Sequence, residues 1–264
     1  MDIGNNKSNS IIGLKNNKAE LKEKNNNNNI CNNSIKNKSN EYNDYELNSL
    51  DYEKALKYDK RTKIQFYMSL IKTKHPIIFS FVPLDDYNAS LIKASLFLIL
   101  FSIIYIINAL FFNESTIHKI YKDGGIYNFV FFVPKIFLSF VISHIIYTVI
   151  KYFTLTERNL LRIKNVFKSF DKIKSEKRCI VIKYLCYFVI GFVCLWFFWF
   201  YLSSFCAVFK NSQVYLIKNT IISLVIALIY PFFINIIPSL LRINSLNARN
   251  RAFLYKLSKG FQYI

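Results

Sequence analysis

Lys135 is the one formal charge inside any of the long apolar stretches of this chain, and a charge held in lipid marks a solute or ion pathway unless it can reach water. Ser139 and Ser143 follow at four-residue steps, which on an α-helix keeps the three side chains within about 80° of one another. They are a candidate lining for a polar path, joined by Asn108 and Asn235, two isolated amides in other apolar stretches. A second reading gives the same residues structural work. With Pro134 as the first helical residue, Lys135 falls near an interface and its ammonium snorkels into water. Asn108, His144 and Asn235 then hydrogen-bond neighbouring helices or carbonyls freed by Pro231 and Pro238. Lys135→Met separates the two: the path reading predicts loss of a flux, the snorkelling reading little change.

Catalysis and metal binding need partners that the chain does not supply at matching positions. His75, His118 and His144 lie on different segments, so neither a metal pair nor a nucleophile and base can be quoted. Asp85 and Asp86 are adjacent, point in different directions from a helix, and fit a turn. Five cysteines without CxxC spacing give neither a zinc site nor a disulfide framework. The expectation is therefore no catalytic, cofactor-binding or metal site, and a protein that is not an enzyme.

These residues sit in a chain of 264 residues that is 53% hydrophobic and 19% charged, with 35 Lys and Arg against 16 Asp and Glu. The apolar and charged residues fall in separate blocks rather than alternating, which excludes a simple soluble domain. Six glycines and five prolines leave little room for hairpins or phosphate loops and favour long helices.

Residues 1 to about 48 are dominated by Asn, Lys, Ser and Glu and are expected to be a disordered tail, since so few apolar groups cannot offset ordering entropy. The membrane domain then runs from 49 to 264. A juxtamembrane helix is expected at about 51–74, with Glu53/Lys57 and Asp59/Lys63 at i,i+4, ending before Pro76. Ile77 to Val82 is too short to cross and lies either in the headgroup zone or under the bundle. Four stretches are long enough to span a bilayer, at about 94–112, 127–150, 184–209 and 219–241. The third, about 39 Å long, should tilt or protrude.

Basic residues number 15 before the first span, 2 in 113–126, 10 in 151–183, 2 in 210–218 and 5 after 241. The positive-inside rule then places both termini in the cytoplasm, and an even number of spans agrees. Asn113-Glu114-Ser115 abuts the first span and reads as a helix end rather than a glycan acceptor. The loop opens with Thr154-Leu155-Thr156-Glu157, a capping-box spacing, and predicts a helix over about 155–174. Leu160, Ile163, Val166, Phe167, Phe170 and Ile173 share one side, and Arg158, Arg162, Lys168 and Lys172 the other. That basic face is a candidate contact for anionic lipid on the cytoplasmic leaflet; the alternative packs the apolar face on residues 51–74. The rings of the third span, Trp196 to Tyr201 among them, read as an interfacial belt. The C-terminal tail, 242–264, carries five basic residues.

Residues 52–264 resemble the C-terminal membrane region of a group of uncharacterised multi-pass proteins of unicellular eukaryotes. The resemblance is carried by Ala55-Leu56-Lys57-Tyr58-Asp59-Lys60-Arg61-Thr62, Asn108-Ala109-Leu110-Phe111-Phe112, Phe197-Phe198-Trp199-Phe200-Tyr201-Leu202 and Phe205-Cys206-Ala207-Val208-Phe209-Lys210-Asn211. It implies a membrane scaffold, with no substrate or catalytic residue to carry over. The resulting expectation is an all-α, multi-pass integral membrane helical bundle of four transmembrane helices, in the secretory pathway or plasma membrane. Its role is that of a non-enzymatic anchor or assembly component with the lipid bilayer and a second copy or another membrane protein as partners, no cofactor and no nucleic acid. The rival is a small transporter or ion-channel subunit with its path along the second span.

Overall fold

A computed structural model describes residues 42–84, 86–165, 170–248 and 251–262, apart from the side chains of Arg158, Arg162, Asn165 and 170–172. The chain divides into two compact units, Met1–Lys60 and Arg61–Ile264. In the first, α1 (Asp44–Ser49) opens with a reciprocal cap in which Asn43 Oδ1 accepts from Glu46 N and Glu46 Oε2 accepts from Asn43 N. After it comes α2 (Tyr52–Tyr58).

Among the described residues, the elements of the second unit are all helices: α3 (Lys63–Lys74), α4 (Pro76–Phe81), α5 (Ser90–Leu110), α6 (Glu114–Lys122), α7 (Phe129–Thr154), α8 (Glu157–Asn165), α9 (Phe170–Val208), a 3-10 turn at Lys210–Ser212, α10 (Gln213–Ile234), α11 (Ile236–Asn247) and α12 (Ala252–Phe261). Among the described residues, four stretches are long and apolar enough to cross a membrane: α5, α7, α9, and α10 with its continuation α11. The fold is an all-α membrane bundle. Its two ends differ: one gathers the starts of α5 and α9 with the ends of α7 and α10, and is called the basic end here; the other carries α6 and the turn before α7.

Local chemistry sets where the helices stop, and it corrects several expected boundaries. The helix expected over 51–74 is two helices, because Thr62 Oγ1 accepts from Gln65 N while Gln65 Oε1 accepts from Thr62 N, a capping box that starts α3 afresh. That helix ends where expected: His75 is extended, at φ −66° and ψ 122°, ahead of Pro76. Pro134 is not the first residue of the second span. Asn128 Oδ1 accepts from Phe131 N and caps α7 five residues earlier, leaving Pro134 inside the helix. The expected Thr154–Glu157 capping box does not form, since the Thr154 hydroxyl donates back to Ile150 O at 2.7 Å and Glu157 binds Asn88. Of the helix expected over about 155–174, the described parts are α8 (Glu157–Asn165) and the start of α9 at Phe170, the residues between them lying outside the described ones; the 39 residues of α9 make it about 58 Å long.

The fourth span is broken. α10 ends at Ile234 after 22 residues, about 33 Å, and Asn235 Nδ2 donates to Pro231 O at 2.7 Å before α11 begins. The C-terminal segment folds back: α12 packs along α11, and Ser258 Oγ donates to Pro238 O at 2.7 Å.

Among the described residues, two larger apolar clusters pack the spans, and a smaller one of Phe66, Leu70 and Ile243 joins α3 to α11. Toward the end that carries α6, Phe112, Phe132, Ile136, Leu202, Phe205 and Tyr215 pack together, with Phe132 stacked on Tyr127 at 5.1 Å between centroids. Toward the basic end, Phe79 of α4 inserts among Leu96, Leu100, Ile104, Phe140, Tyr147 and Ala227, so the short apolar piece packs under the bundle. Lipid tails are as apolar as leucine, so inside the hydrocarbon such packing holds by close contact rather than by water exclusion.

Candidate functional site

The candidate path residues are held by three different sets of neighbours. Lys135 is half-buried on α7; its ammonium donates to Thr116 Oγ1 of α6 and lies 4.3 Å from the Phe131 ring centroid. Asn108 on α5 is buried and donates through Nδ2 to Ile104 O at 2.8 Å and to Ser223 Oγ of α10 at 3.1 Å. Ser223 Oγ in turn approaches Ile136 O of α7 at 3.4 Å, so one amide and one hydroxyl join three spans. Asn235 binds within its own helix, twelve residues or about 18 Å along from Ser223. Ser139 and Ser143 are fully buried, and their hydroxyls make no hydrogen bond among the described residues. Of the candidate lipid contacts, the side chains of Arg158, Arg162 and Lys172, and all of Lys168, lie outside the described residues.

A denser polar set lies at the basic end, built from five elements. The loop before α5 supplies Asp86 and Asn88, α5 supplies Lys93 and Ser95, α7 supplies Lys151, and the start of α8 supplies Thr156 and Glu157, while α9 supplies Lys183, Tyr184 and Tyr187. Lys93 Nζ contacts both Asp86 oxygens at 3.2 Å, and both side chains are buried. Asn88 accepts from Thr156 N at 3.2 Å and donates to Glu157 Oε1 at 2.6 Å. The hydroxyls of Thr156 and Tyr184 meet at 2.8 Å, as do those of Ser95 and Tyr187, and Lys183 Nζ donates to Leu155 O. These contacts tie α9 to α5 and to the α7–α8 turn at the level where the chain leaves the bundle.

The edge of this set nearest α3 is unbalanced in charge. Lys151 Nζ donates to Thr73 O at 3.1 Å and sits 4.2 Å from the Phe79 centroid, while Lys93 Nζ sits 5.6 Å from the same ring. Beside them Lys74 makes no hydrogen bond or ion pair among the described residues. Burial, and then the Lys151 ammonium, push its pKa down from 10.5 to about 7. Burial also lowers the neighbouring His75 imidazole, whose Nδ1 accepts from Ile78 N at 3.4 Å.

A further cation belongs to the α3–α11–α12 layer. Arg242 is fully buried, its guanidinium 4.8 Å from the Phe66 centroid and 4.8 Å from that of Tyr255.

The sequence reading treated Asp86 as part of a turn and passed over Lys93 and Lys151 as charges flanking the spans. The available signal was positional: each lysine borders an apolar run at the same end of the bundle, with carboxylates in the adjoining connections.

Fold and site together define a four-span helical membrane bundle with a buried ionic set at one end. No protein-family model, curated protein or solved structure matches the chain.

Proposed function

We propose that this chain is a non-enzymatic integral membrane protein that serves as an anchor or assembly component, with both termini in the cytoplasm of a cell's secretory-pathway or plasma membrane. The observation that carries the reading is α9. Its most apolar 18-residue window has none of its residues buried inside the chain, against half for α5 and 28% for each of the other two spans. Phe192, Trp196 and Phe200 are more than 60% exposed along it. A span so little covered by its own bundle is suited to a neighbour, either a second copy or another membrane protein, while the remaining spans enclose a centre filled by apolar clusters.

The polar groups within the spans support the same reading. Lys135 turns to α6, Asn108 to Ser223 and Asn235 to its own helix, so the aligned groups of a conducting path do not converge. Anionic lipids of the cytoplasmic leaflet are the bilayer partner that the basic end favours.

Solute and ion flux into liposomes holding the purified, folded protein tests this. The anchor reading expects rates equal to those of empty vesicles for wild type and for Lys135→Met. A wild-type flux that Lys135→Met abolishes would instead establish transport along the second span.

A further inference from the structure

We propose that Lys74 and Lys151 form a phosphate site at the basic end of the bundle, occupied by the headgroup of an anionic lipid. The site lies where the end of α3 meets the end of α7: Lys151 Nζ donates to the carbonyl of Thr73, the residue before Lys74, which brings the Lys151 ammonium to the last turn of α3, where its charge repels that of Lys74.

Charge counting explains why an anion belongs there. Among the described residues, this set holds the ammonium groups of Lys74, Lys93, Lys151 and Lys183 against the carboxylates of Asp86 and Glu157. Asp86 is taken up by Lys93 through both oxygens, and Glu157 binds Asn88. Among the described residues, Lys74 is left with a repelling cation and no counter-ion. A mostly buried, unpaired ammonium either gives up its proton or takes an anion, because desolvation without compensation is expensive.

The surroundings select a lipid as the source of that phosphate. Ile77, Phe81 and Val82 of the adjoining segment are exposed and apolar, as is Leu91 at the start of α5. Acyl chains would lie along these groups while the phosphate reached the lysines, as in basic pockets between spans that hold anionic headgroups. Free phosphate would satisfy the charge but leave this apolar rim against water.

The test is native mass spectrometry and lipid titration on the full-length protein in detergent micelles, using phosphatidylserine, phosphatidylinositol phosphate, phosphatidylcholine and inorganic phosphate as separate probes. The expected result is retention of the anionic lipids by wild type, no retention of phosphatidylcholine, and at most weak binding of inorganic phosphate. Lys74→Gln should weaken the anionic lipid about fivefold, the share of one basic residue, with Lys74→Arg restoring it. Amine acylation of Lys74 followed by mass spectrometry gives a second readout that does not depend on Gln being tolerated. The reactive fraction should titrate near neutrality in phosphatidylcholine discs and move well upward when anionic lipid is added. Equal lipid retention by wild type and Lys74→Gln, tighter binding of inorganic phosphate than of either lipid, or a Lys74 titration unmoved by anionic lipid would each overturn the proposal.

Discussion

The Lys151 ammonium and the Lys93 ammonium share one aromatic ring, that of Phe79, at 4.2 Å and 5.6 Å from its centroid. Phe79 belongs to α4, a helix of six residues that could not stand alone in water, and it joins the ends of two spans that are 58 residues apart in sequence at these lysines. Phe79→Ala removes both ring contacts and a large part of the cluster around Leu96 and Tyr147. A loss of about 3–5 kcal/mol is expected from denaturant unfolding in micelles.

The Lys93–Asp86 pair is buried, so removing one partner strands the other. Asp86→Leu or Lys93→Met should each cost about 3–5 kcal/mol, and the two replacements together clearly less than the sum of the two. A thermal or denaturant melt of the four proteins decides this, and additivity would show that the pair is not coupled.

Asn108 and Ser223 are linked at 3.1 Å in the bundle's interior, where intramembrane hydrogen bonds average about 0.6 kcal/mol. Asn108→Ala and Ser223→Ala should therefore couple by roughly that amount in a double-mutant cycle. Asn235→Ala should show no coupling with either, because Asn235 binds only its own helix's Pro231 carbonyl in the contacts described.

Lys74 makes stability depend on pH in a definite direction. Its pKa falls from 10.5 to about 7 on folding, so between those values the unfolded chain holds a proton that the folded chain has released. Stability should rise with pH across that window in zwitterionic micelles. The groups around it are Lys151 from α7, with Asp86 and Glu157 acting on Lys151, and His75 beside it on the chain. Lys74→Met should flatten the rise, and bound anionic lipid should do the same by restoring an ordinary lysine.

Gly125 has φ +81°, and a Cβ there would stand 3.4 Å from the Tyr215 hydroxyl that donates to its carbonyl. Gly125→Ala should cost about 1–2 kcal/mol through backbone strain alone. Gly124, at φ +61°, has open space around its Cβ position, so Gly124→Asn should be better tolerated in the same melt.

Four apolar runs separated by charged blocks made the bundle legible in the sequence, because a membrane span announces itself by length and hydropathy. Boundaries were less legible. Thr62 with Gln65 and Asn128 with Phe131 start helices through side-chain caps, and neither position shifts the hydropathy that marks a span. The break at Asn235 was visible in its flanking prolines, yet hydropathy alone carried the fourth span on to residue 241. The ionic set at the basic end was the least legible part. Asp86, Lys93, Lys151 and Glu157 come from four elements, and only the return of α7 beside the start of α5 brings them together. Lys135 was conspicuous by its lone charge, but its partner Thr116 lies in a connection that no periodicity tied to it.

The exposed face of α9 offers the most direct test of an assembly role. A photo-crosslinking amino acid at Phe192, activated in native membranes and resolved by mass spectrometry, should yield a discrete protein adduct, either a second copy of this chain or one defined membrane partner. Adducts to lipid alone, from a protein shown to be folded and inserted, would contradict that role.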